Sequence, residues 1–164
     1  MGTGASFQPK NPDYRRIAVD TFERQRAMKT LGVSIVRLEP GEVDLAMNYS
    51  PEYTQQNGFV HAGIITAGLD NAFGVAAFTL MPEEADILTV EFKTTLLAPA
   101  RGERFVFKAE VVKPGRTLTF CEARAFAEHE GKTTLIATMT GTLMAMLPRT
   151  APQAPRMSPT RRGD

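Results

Sequence analysis

The stretch QQNGFVHAGIITAGLDNAFG, residues 55–74, decides how this chain folds, because it joins a polar loop to a long apolar segment. The apolar segment begins at His61 and stops at Met81-Pro82. It is longer than an ordinary strand and rich in alanine, so it predicts a helix. Apolar residues fall on every face of this helix, which is typical of a helix buried in a core. Asp70 is the only charged residue within it.

The segments before this helix predict a second helix and two strands. From Asp13 to Leu31, apolar residues approximate one helical face, and a glycine follows. Gly32 to Arg37 predicts a short strand. Glu42 to Tyr49 alternates between apolar and polar residues, which indicates a half-buried strand.

Four strands are predicted after the buried helix: Ile87–Leu97, Glu103–Lys113, Thr117–Glu128 and Thr133–Met146. Tight turns at Pro114-Gly115 and Glu130-Gly131 indicate two hairpins among them. This order of elements predicts an α+β fold. An antiparallel sheet of about six strands would wrap around one long central helix, with an extra helix at the N-terminus.

The ends of the chain differ from the part between them. Residues 1–12 contain Gly, Ser and Pro without periodicity and predict a flexible arm. Residues 13–147 predict a single domain. Residues 148–164 combine prolines with arginines and predict a disordered tail.

Composition limits the classes of function. The formal net charge of +1 gives no reason to expect nucleic acid as a partner, and the carboxylate within the apolar segment argues against a membrane span. The single cysteine, Cys121, suits a reducing compartment and predicts a buried structural thiol. Cysteines and histidines show no metal-ligand spacing, so no metal is expected. We therefore expect a cytoplasmic protein.

Asp70 is a candidate functional residue on physical grounds. A carboxylate in a helix that is apolar on every face costs several kcal/mol unless it is paired, hydrogen-bonded or neutralised. Such groups cluster at functional sites. A carboxylate that caps a neighbouring loop or faces a small solvent gap is the alternative, and this feature alone leaves both open.

The start of the helix supplies a second candidate group. Free backbone N–H groups at His61, Ala62 and Gly63 favour developing negative charge, as an oxyanion hole requires. The His61 side chain either orients a substrate carbonyl or ties down the preceding loop. Eight residues separate Ala62 from Asp70, or about 12 Å along a helix. One chain cannot easily bring both to one carbonyl, so the spacing indicates a site shared across a two-fold homodimer.

Residues 55–74 resemble the signature of the phenylacetate-type (PaaI-like) branch of the hotdog-fold acyl-CoA thioesterases. That signature has a histidine and two glycines at the helix start, and an acidic residue nine positions after the histidine. His61 and Asp70 match this spacing. The later segments LTVEFKTTLLAPARG and VVKPGRTLTF resemble the family's strand after the helix and its following hairpin. The resemblance covers about residues 30–146.

The resemblance implies hydrolysis of a small or medium acyl-CoA, aromatic acyl groups included, without any cofactor besides the CoA of the substrate. Asp70 would be the general base or the nucleophile, and Thr89 would hold the water. The Ala62 N–H would polarise the thioester carbonyl, His61 would orient it, and Gln55 would position water or substrate. In the family, Asp70 and Thr89 come from one subunit and the other three from its partner, in a homodimer that we expect to assemble into a homotetramer.

The resemblance also implies contacts with coenzyme A. Lys113, Arg116 and Thr117 surround the hairpin turn that lies near the nucleotide and pantetheine in relatives, where cations suit phosphate. A solvated turn is an equal alternative there. Gly63 and Asn57 complete the expected substrate-binding set.

Ala62 departs from the family pattern, which has glycine at this position. Alanine keeps the N–H donor if its φ is negative, although its methyl group could narrow the slot for the thioester.

Two other functions are alternatives to hydrolysis. In an acyl-CoA-binding or sensory domain with little turnover, the helix from Asp13 to Leu31 would contact a partner. A hotdog dehydratase needs a differently spaced histidine and acid, which this sequence does not show. The sequence also has no nucleophile elbow and no phosphate-binding glycine motif.

Overall fold

The computed structural model describes residues 7–148, so residues 1–6 of the predicted arm and residues 149–164 of the predicted tail lie outside the described residues. In chain order its elements are α1 (Tyr14–Glu23), α2 (Arg26–Thr30), β1 (Ser34–Glu39), β2 (Glu42–Asn48), α3 (Ala62–Phe78), β3 (Asp86–Leu96), β4 (Arg104–Lys113), β5 (Leu118–His129) and β6 (Lys132–Met146). Each predicted strand boundary agrees with the structure to within two residues.

The six strands form one antiparallel sheet in the order β1-β2-β4-β5-β6-β3. α3 packs against the sheet from β2 to β6. Leu69 and Phe73 of α3 are fully buried against Phe105 and Phe107 of β4 and their neighbours. The predicted α+β architecture, a sheet around one central helix, is therefore confirmed.

Two glycines let α3 and the sheet approach closely. A Cβ at Gly68 would lie 2.5 Å from the Phe107 ring, and a Cβ at Gly141 would lie 2.9 Å from the Phe73 ring. Each phenyl ring thus fills the space that a side chain would need. Because Asp70 lies two residues after Gly68, this contact also sets its height above the sheet.

The C-terminal end of α3 is tied to the turn between β1 and β2. Thr79 is fully buried, and its Oγ1 accepts a hydrogen bond from the Gly41 N–H at 2.7 Å. The same hydroxyl donates to the Ala76 carbonyl at 2.6 Å. The helix therefore cannot shift along its axis without breaking a buried hydrogen bond.

The single N-terminal helix predicted from Asp13 to Leu31 is wrong, because the structure has two helices there. Gln25, between α1 and α2, has an extended backbone with φ −79° and ψ 100°. Its side-chain Oε1 accepts a hydrogen bond from Asn71 Nδ2 on α3. This contact joins residues far apart in the sequence, so local periodicity could not indicate the break.

Part of the predicted arm at residues 1–12 packs against the domain. The Phe7 ring lies so close to Gly41 that a Cβ there would come within 2.7 Å of it. Asn11 is buried, and its Oδ1 accepts a hydrogen bond from the Asp13 N–H at 2.9 Å. Phe7 and Asn11 thus pack against the domain, whereas the residues between them are partly or fully exposed.

β3 forms one edge of the sheet and carries exposed apolar side chains. Leu88, Val90, Phe92 and Leu96 are between 43% and 56% exposed. Within the described chain, β3 pairs only with β6, so its other side offers free backbone groups. Natural proteins seldom leave a long apolar edge of this kind uncovered.

Candidate active site

The segment before α3 forms a closed loop. Thr54 and Val60 make an antiparallel bridge, and the Gln55 N–H donates to the Phe59 carbonyl at 2.8 Å. The Gln55 Oε1 accepts a hydrogen bond from the Asn57 N–H. This contact leaves the two amide hydrogens of Gln55 available to donate to another group.

His61 is the N-cap of α3, and its Nδ1 accepts a hydrogen bond from the Gly63 N–H at 3.1 Å. A neutral imidazole that accepts at Nδ1 carries its proton on Nε2, which can therefore donate. The next residue, Ala62, starts the helix, and no acceptor for its N–H lies within residues 7–148. Its φ is negative, so the alanine keeps the donor geometry that the sequence required. Two donors thus occupy adjacent residues at the positive end of the helix dipole.

Gln55, His61 and Ala62 line one cavity of about 430 Å³. Apolar side chains form much of its remaining wall, including Ile65 of α3 and Leu96 of β3. The structure therefore brings three of the predicted site residues to one place, at the start of the helix.

Asp70 lies further along α3 and is half-buried, not fully enclosed. Its Oδ1 accepts a hydrogen bond from Thr89 Oγ1 at 2.9 Å. Side chains three positions apart normally point to opposite faces of a strand. A bulge in β3 between Thr89 and Glu91 inserts one extra residue, so that Thr89 and Phe92 both face α3. Asp70 and Thr89 line a second cavity, of about 130 Å³, beneath α1.

Within one chain, the two groups of predicted residues remain apart. The cavity at the helix start and the cavity at Asp70 share no lining residue. The helix between Ala62 and Asp70 is uninterrupted, which fixes their separation at about 12 Å along its axis. A single chain therefore presents a donor half at the helix start and a carboxylate half at Asp70, and it does not bring the two halves to one point.

Comparison with known proteins identifies the family. Residues 57–134 match the model of the thioesterase superfamily. The crystal structure of a thioesterase family protein from Silicibacter pomeroyi is 56% identical in sequence, with a TM-score of 0.82, and covers 82% of this chain and 99% of that chain. This chain belongs to the thioesterase superfamily.

Two further members of known name are similar to this thioesterase. Human acyl-coenzyme A thioesterase 13 is 30% identical over 101 residues, which span 61% of this chain and 71% of that protein. A variant of the phenylacetic acid degradation protein PaaI from Thermus thermophilus is 26% identical, with a TM-score of 0.64, and the match covers 73% of this chain and 98% of that chain. The predicted family, the hotdog fold and the thioester hydrolase class are confirmed.

The predicted coenzyme A contacts lie elsewhere on the thioesterase. Lys113, Arg116 and Thr117 are exposed at the hairpin between β4 and β5, and line neither cavity described above. Gly63 and Asn57 are exposed at the helix start and in the preceding loop. Their contacts with substrate stay predictions.

Sequence reasoning missed two residues of the carboxylate half. Gln25 and Asn71 line the cavity with Asp70 and hydrogen-bond to each other. The sequence places Gln25 only within the predicted Asp13–Leu31 helix, and Asn71 only within the buried helix. The one signal in the sequence is that a polar amide interrupts an otherwise apolar face in each of these two helices.

The described residues give little support to a cysteine nucleophile, a metal site or a membrane-spanning helix. Cys121 is buried in β5, and burial raises the pKa of its thiol to about 12, so it is not a poised nucleophile. Among residues 7–148, no cluster of three or more His, Cys, Asp or Glu could hold a metal ion. Across the same residues, the helices are too short or too polar to span a membrane.

Proposed function

We propose that this thioesterase hydrolyses small or medium acyl-CoA thioesters, aromatic acyl groups included, to free acid and CoA. The observation that carries the proposal is the pair of half-sites on α3. Asp70 with Thr89 forms one half-site, and two free donors at His61 and Ala62 form the other. The activity named for human acyl-coenzyme A thioesterase 13 supports acyl-CoA as the substrate. CoA enters only as part of the substrate, and no cofactor is required.

Each half-site would supply a different part of the reaction. The Ala62 N–H and the His61 Nε2–H would bind the carbonyl oxygen and stabilise the charge that develops on it. Asp70, held by Thr89, would take a proton from the attacking water or attack the carbonyl carbon itself. Gln55 would orient the water or the substrate through its free amide hydrogens. The carbon–sulfur bond then breaks, and the CoA thiolate leaves and takes up a proton. On the route in which Asp70 is the nucleophile, a water molecule then hydrolyses the acyl–Asp70 anhydride and so releases the free acid.

The two half-sites would meet across a homodimer. The exposed edge of β3 would pair with β3 of a second copy about a two-fold axis and so continue the sheet. Thr89 lies on this edge strand, beside Asp70, and Leu96 of the same strand lines the cavity at the helix start. Pairing through β3 would therefore set Asp70 of one protomer near the partner subunit's His61. We propose that such dimers assemble further into a tetramer.

The exposed turn between β4 and β5 would contact the CoA portion of the substrate. Lys113 and Arg116 are exposed cations next to the Thr117 hydroxyl, which suits a nucleotide phosphate. Because these side chains lie outside both cavities, they would affect substrate affinity more than the chemical step.

Thiol release from a panel of acyl-CoAs tests the function. Wild type should release CoA, whereas Asp70→Asn should lower kcat/KM by at least about 100-fold, because the amide cannot act as a base. Asp44→Asn is the matched control, since Asp44 pairs with Lys108 on the opposite face of the sheet. It should retain wild-type activity.

Two results would overturn the proposal. If folded Asp70→Asn retained full activity, Asp70 would be a structural residue. If wild type released no thiol from any acyl-CoA but bound one of them, the chain would be an acyl-CoA-binding domain. Where the wild type is active, single-turnover hydrolysis in ¹⁸O-labelled water separates the two roles of Asp70. Only an Asp70 that acts as the nucleophile can acquire the label.

A further inference from the structure

A third cavity lies beside the one that holds Asp70 and Thr89, on its α2 side. It has a volume of about 340 Å³ and is lined by Phe22, Glu23, Gln25, Lys29 and Val33. The inner cavity, which holds Asp70 and Thr89, has a volume of about 130 Å³. Phe22 and Gln25 are the two residues that line both cavities. These two side chains therefore form the partition between the inner and the outer space.

Gln25 is held in this position from two sides. The helix breaks at Gln25, whose extended backbone separates α1 from α2. Its side chain accepts a hydrogen bond from Asn71, the residue after Asp70 on α3. Phe22, the other residue of the partition, is buried in the core. Gln25 is thus the polar, half-buried part of the partition, and one hydrogen bond fixes it.

The inner cavity is small for a ligand. Ligand pockets usually enclose about 300–1,000 Å³, whereas a water molecule occupies about 30 Å³ of liquid. A volume of about 130 Å³ therefore holds about four groups the size of water or methylene. Seven of its twelve lining residues are apolar or glycine, Phe78 and Leu143 among them, and the polar ones are Thr21, Gln25, Asp70, Asn71 and Thr89. Such a space suits the short hydrocarbon portion of an acyl group.

We propose that Gln25 is a specificity-determining stopper that confines the acyl group to the inner cavity, so that this thioesterase prefers short acyl chains. The proposal rests on the proposed function, because it takes Asp70 as the group next to the thioester carbon. A chain longer than the inner cavity meets the Gln25 amide and cannot continue. Removal of that side chain joins the inner cavity to the outer one, which can take the remaining methylene groups.

A series of saturated acyl-CoAs from acetyl to dodecanoyl tests whether Gln25 limits the length of the acyl chain. Wild type should show its highest kcat/KM with butyryl or hexanoyl chains. Gln25→Ala should raise the ratio of kcat/KM for octanoyl-CoA to that for butyryl-CoA by about tenfold or more, since each methylene in an apolar pocket changes kcat/KM on this order. Gln25→Leu keeps the bulk of the side chain without its amide, and should retain the wild-type preference.

Arg26→Ala is the control, because Arg26 is exposed on α2 and lines neither cavity. It should leave both activity and chain-length preference unchanged. A Gln25→Ser variant, checked by circular dichroism, gives a second opening of the partition if Gln25→Ala fails to fold.

The outcomes separate this inference from the proposed function. Two results would contradict the role of Gln25 and leave the proposed hydrolysis of acyl-CoA intact. One is a wild type that hydrolyses acyl-CoAs but prefers dodecanoyl chains. The other is an unchanged chain-length preference in both Gln25→Ala and Gln25→Ser. If Gln25→Leu shifts the preference as much as Gln25→Ala, the bulk of the Gln25 side chain does not limit the acyl chain, and the proposal is wrong. If no acyl-CoA releases thiol, the proposed function fails and the inference fails with it.

Discussion

At the residue scale, the hydrogen bond from Thr89 to Asp70 gives the carboxylate a fixed orientation. Replacement of Thr89 by valine keeps the shape of the side chain and removes only the hydroxyl. A hydrogen bond to a charged group contributes about 1.5–3 kcal/mol, so Thr89→Val should lower kcat/KM by about 10- to 100-fold. Steady-state kinetics with the preferred acyl-CoA measure this change.

Thr89→Ser is the control for that prediction, because serine restores the hydroxyl at the same position. It should recover most of the activity that valine loses. Equal rates for Thr89→Val and wild type would show that the 2.9 Å contact has no part in the reaction.

Asp70 and His61 could be predicted from sequence, whereas Gln25 and its contact with Asn71 could not. Asp70 was identified as one charge in an apolar helix, and His61 by its place at the helix start. Both properties are local, so one sequence contains them. Gln25 reaches Asn71 only after α1 folds back over α3, 46 residues away in the chain. No periodicity encodes that contact, and the partition between the two cavities was therefore missed.

At the element scale, the height of α3 above the sheet depends on Gly68. A Cβ at this position would lie 2.5 Å from the Phe107 ring, so Gly68→Ala must displace the ring or the helix. Overpacking of this kind costs about 1–3 kcal/mol. The helix propensity of alanine offsets up to about 1 kcal/mol of this cost. Gly68→Ala should therefore lower the free energy of unfolding by up to about 2 kcal/mol in denaturant titrations. It should also lower activity, because Asp70 follows two residues later.

Gly74 on the same helix gives the matched control. A Cβ there would meet Leu143 only at 4.0 Å, which is an ordinary contact. Gly74→Ala should thus stabilise the protein by up to about 1 kcal/mol through helix propensity. If both substitutions destabilised the protein equally, the close contact between Gly68 and Phe107 would not be the cause.

The elements themselves could be predicted more completely than their neighbours in the sheet. The apolar run, the alternation and the two glycine turns indicated α3 and six strands with boundaries close to those observed. The pairing of β3 with β6 could not be inferred, because about fifty residues separate the paired positions and no hairpin turn joins them. That pairing leaves β3 at the edge of the sheet, which is where the proposed homodimer would form.

At the scale of the whole molecule, the distance between Ala62 and Asp70 along α3 favours a site that two chains share. The sequence already implied that Ala62 and Asp70 are too far apart to grip one carbonyl. The structure adds that each lies in a cavity of its own, with the exposed strand β3 beside both. A site completed by a second chain is the simplest arrangement that uses both half-sites.

Mixing inactive variants tests this arrangement. Asp70→Asn lacks the carboxylate half of the site and His61→Ala lacks the donor half, so each homodimer should be inactive. A hybrid dimer has one doubly defective site and one intact site. After subunit exchange at equal concentrations, half of the dimers are hybrids, and activity should recover to about one quarter of the wild-type value.

The reciprocal mixture provides the control and excludes an effect of exchange itself. A double variant that carries both substitutions on one chain is mixed with an equal amount of wild type. If sites are shared, each hybrid has one defect in each site, and activity should fall to about one quarter of that of an all-wild-type sample. If each chain holds a complete site, activity stays at about one half and the first mixture recovers nothing, because every chain in that mixture is defective. Agreement of both mixtures with the shared-site values would show that Asp70 depends on the partner subunit's His61.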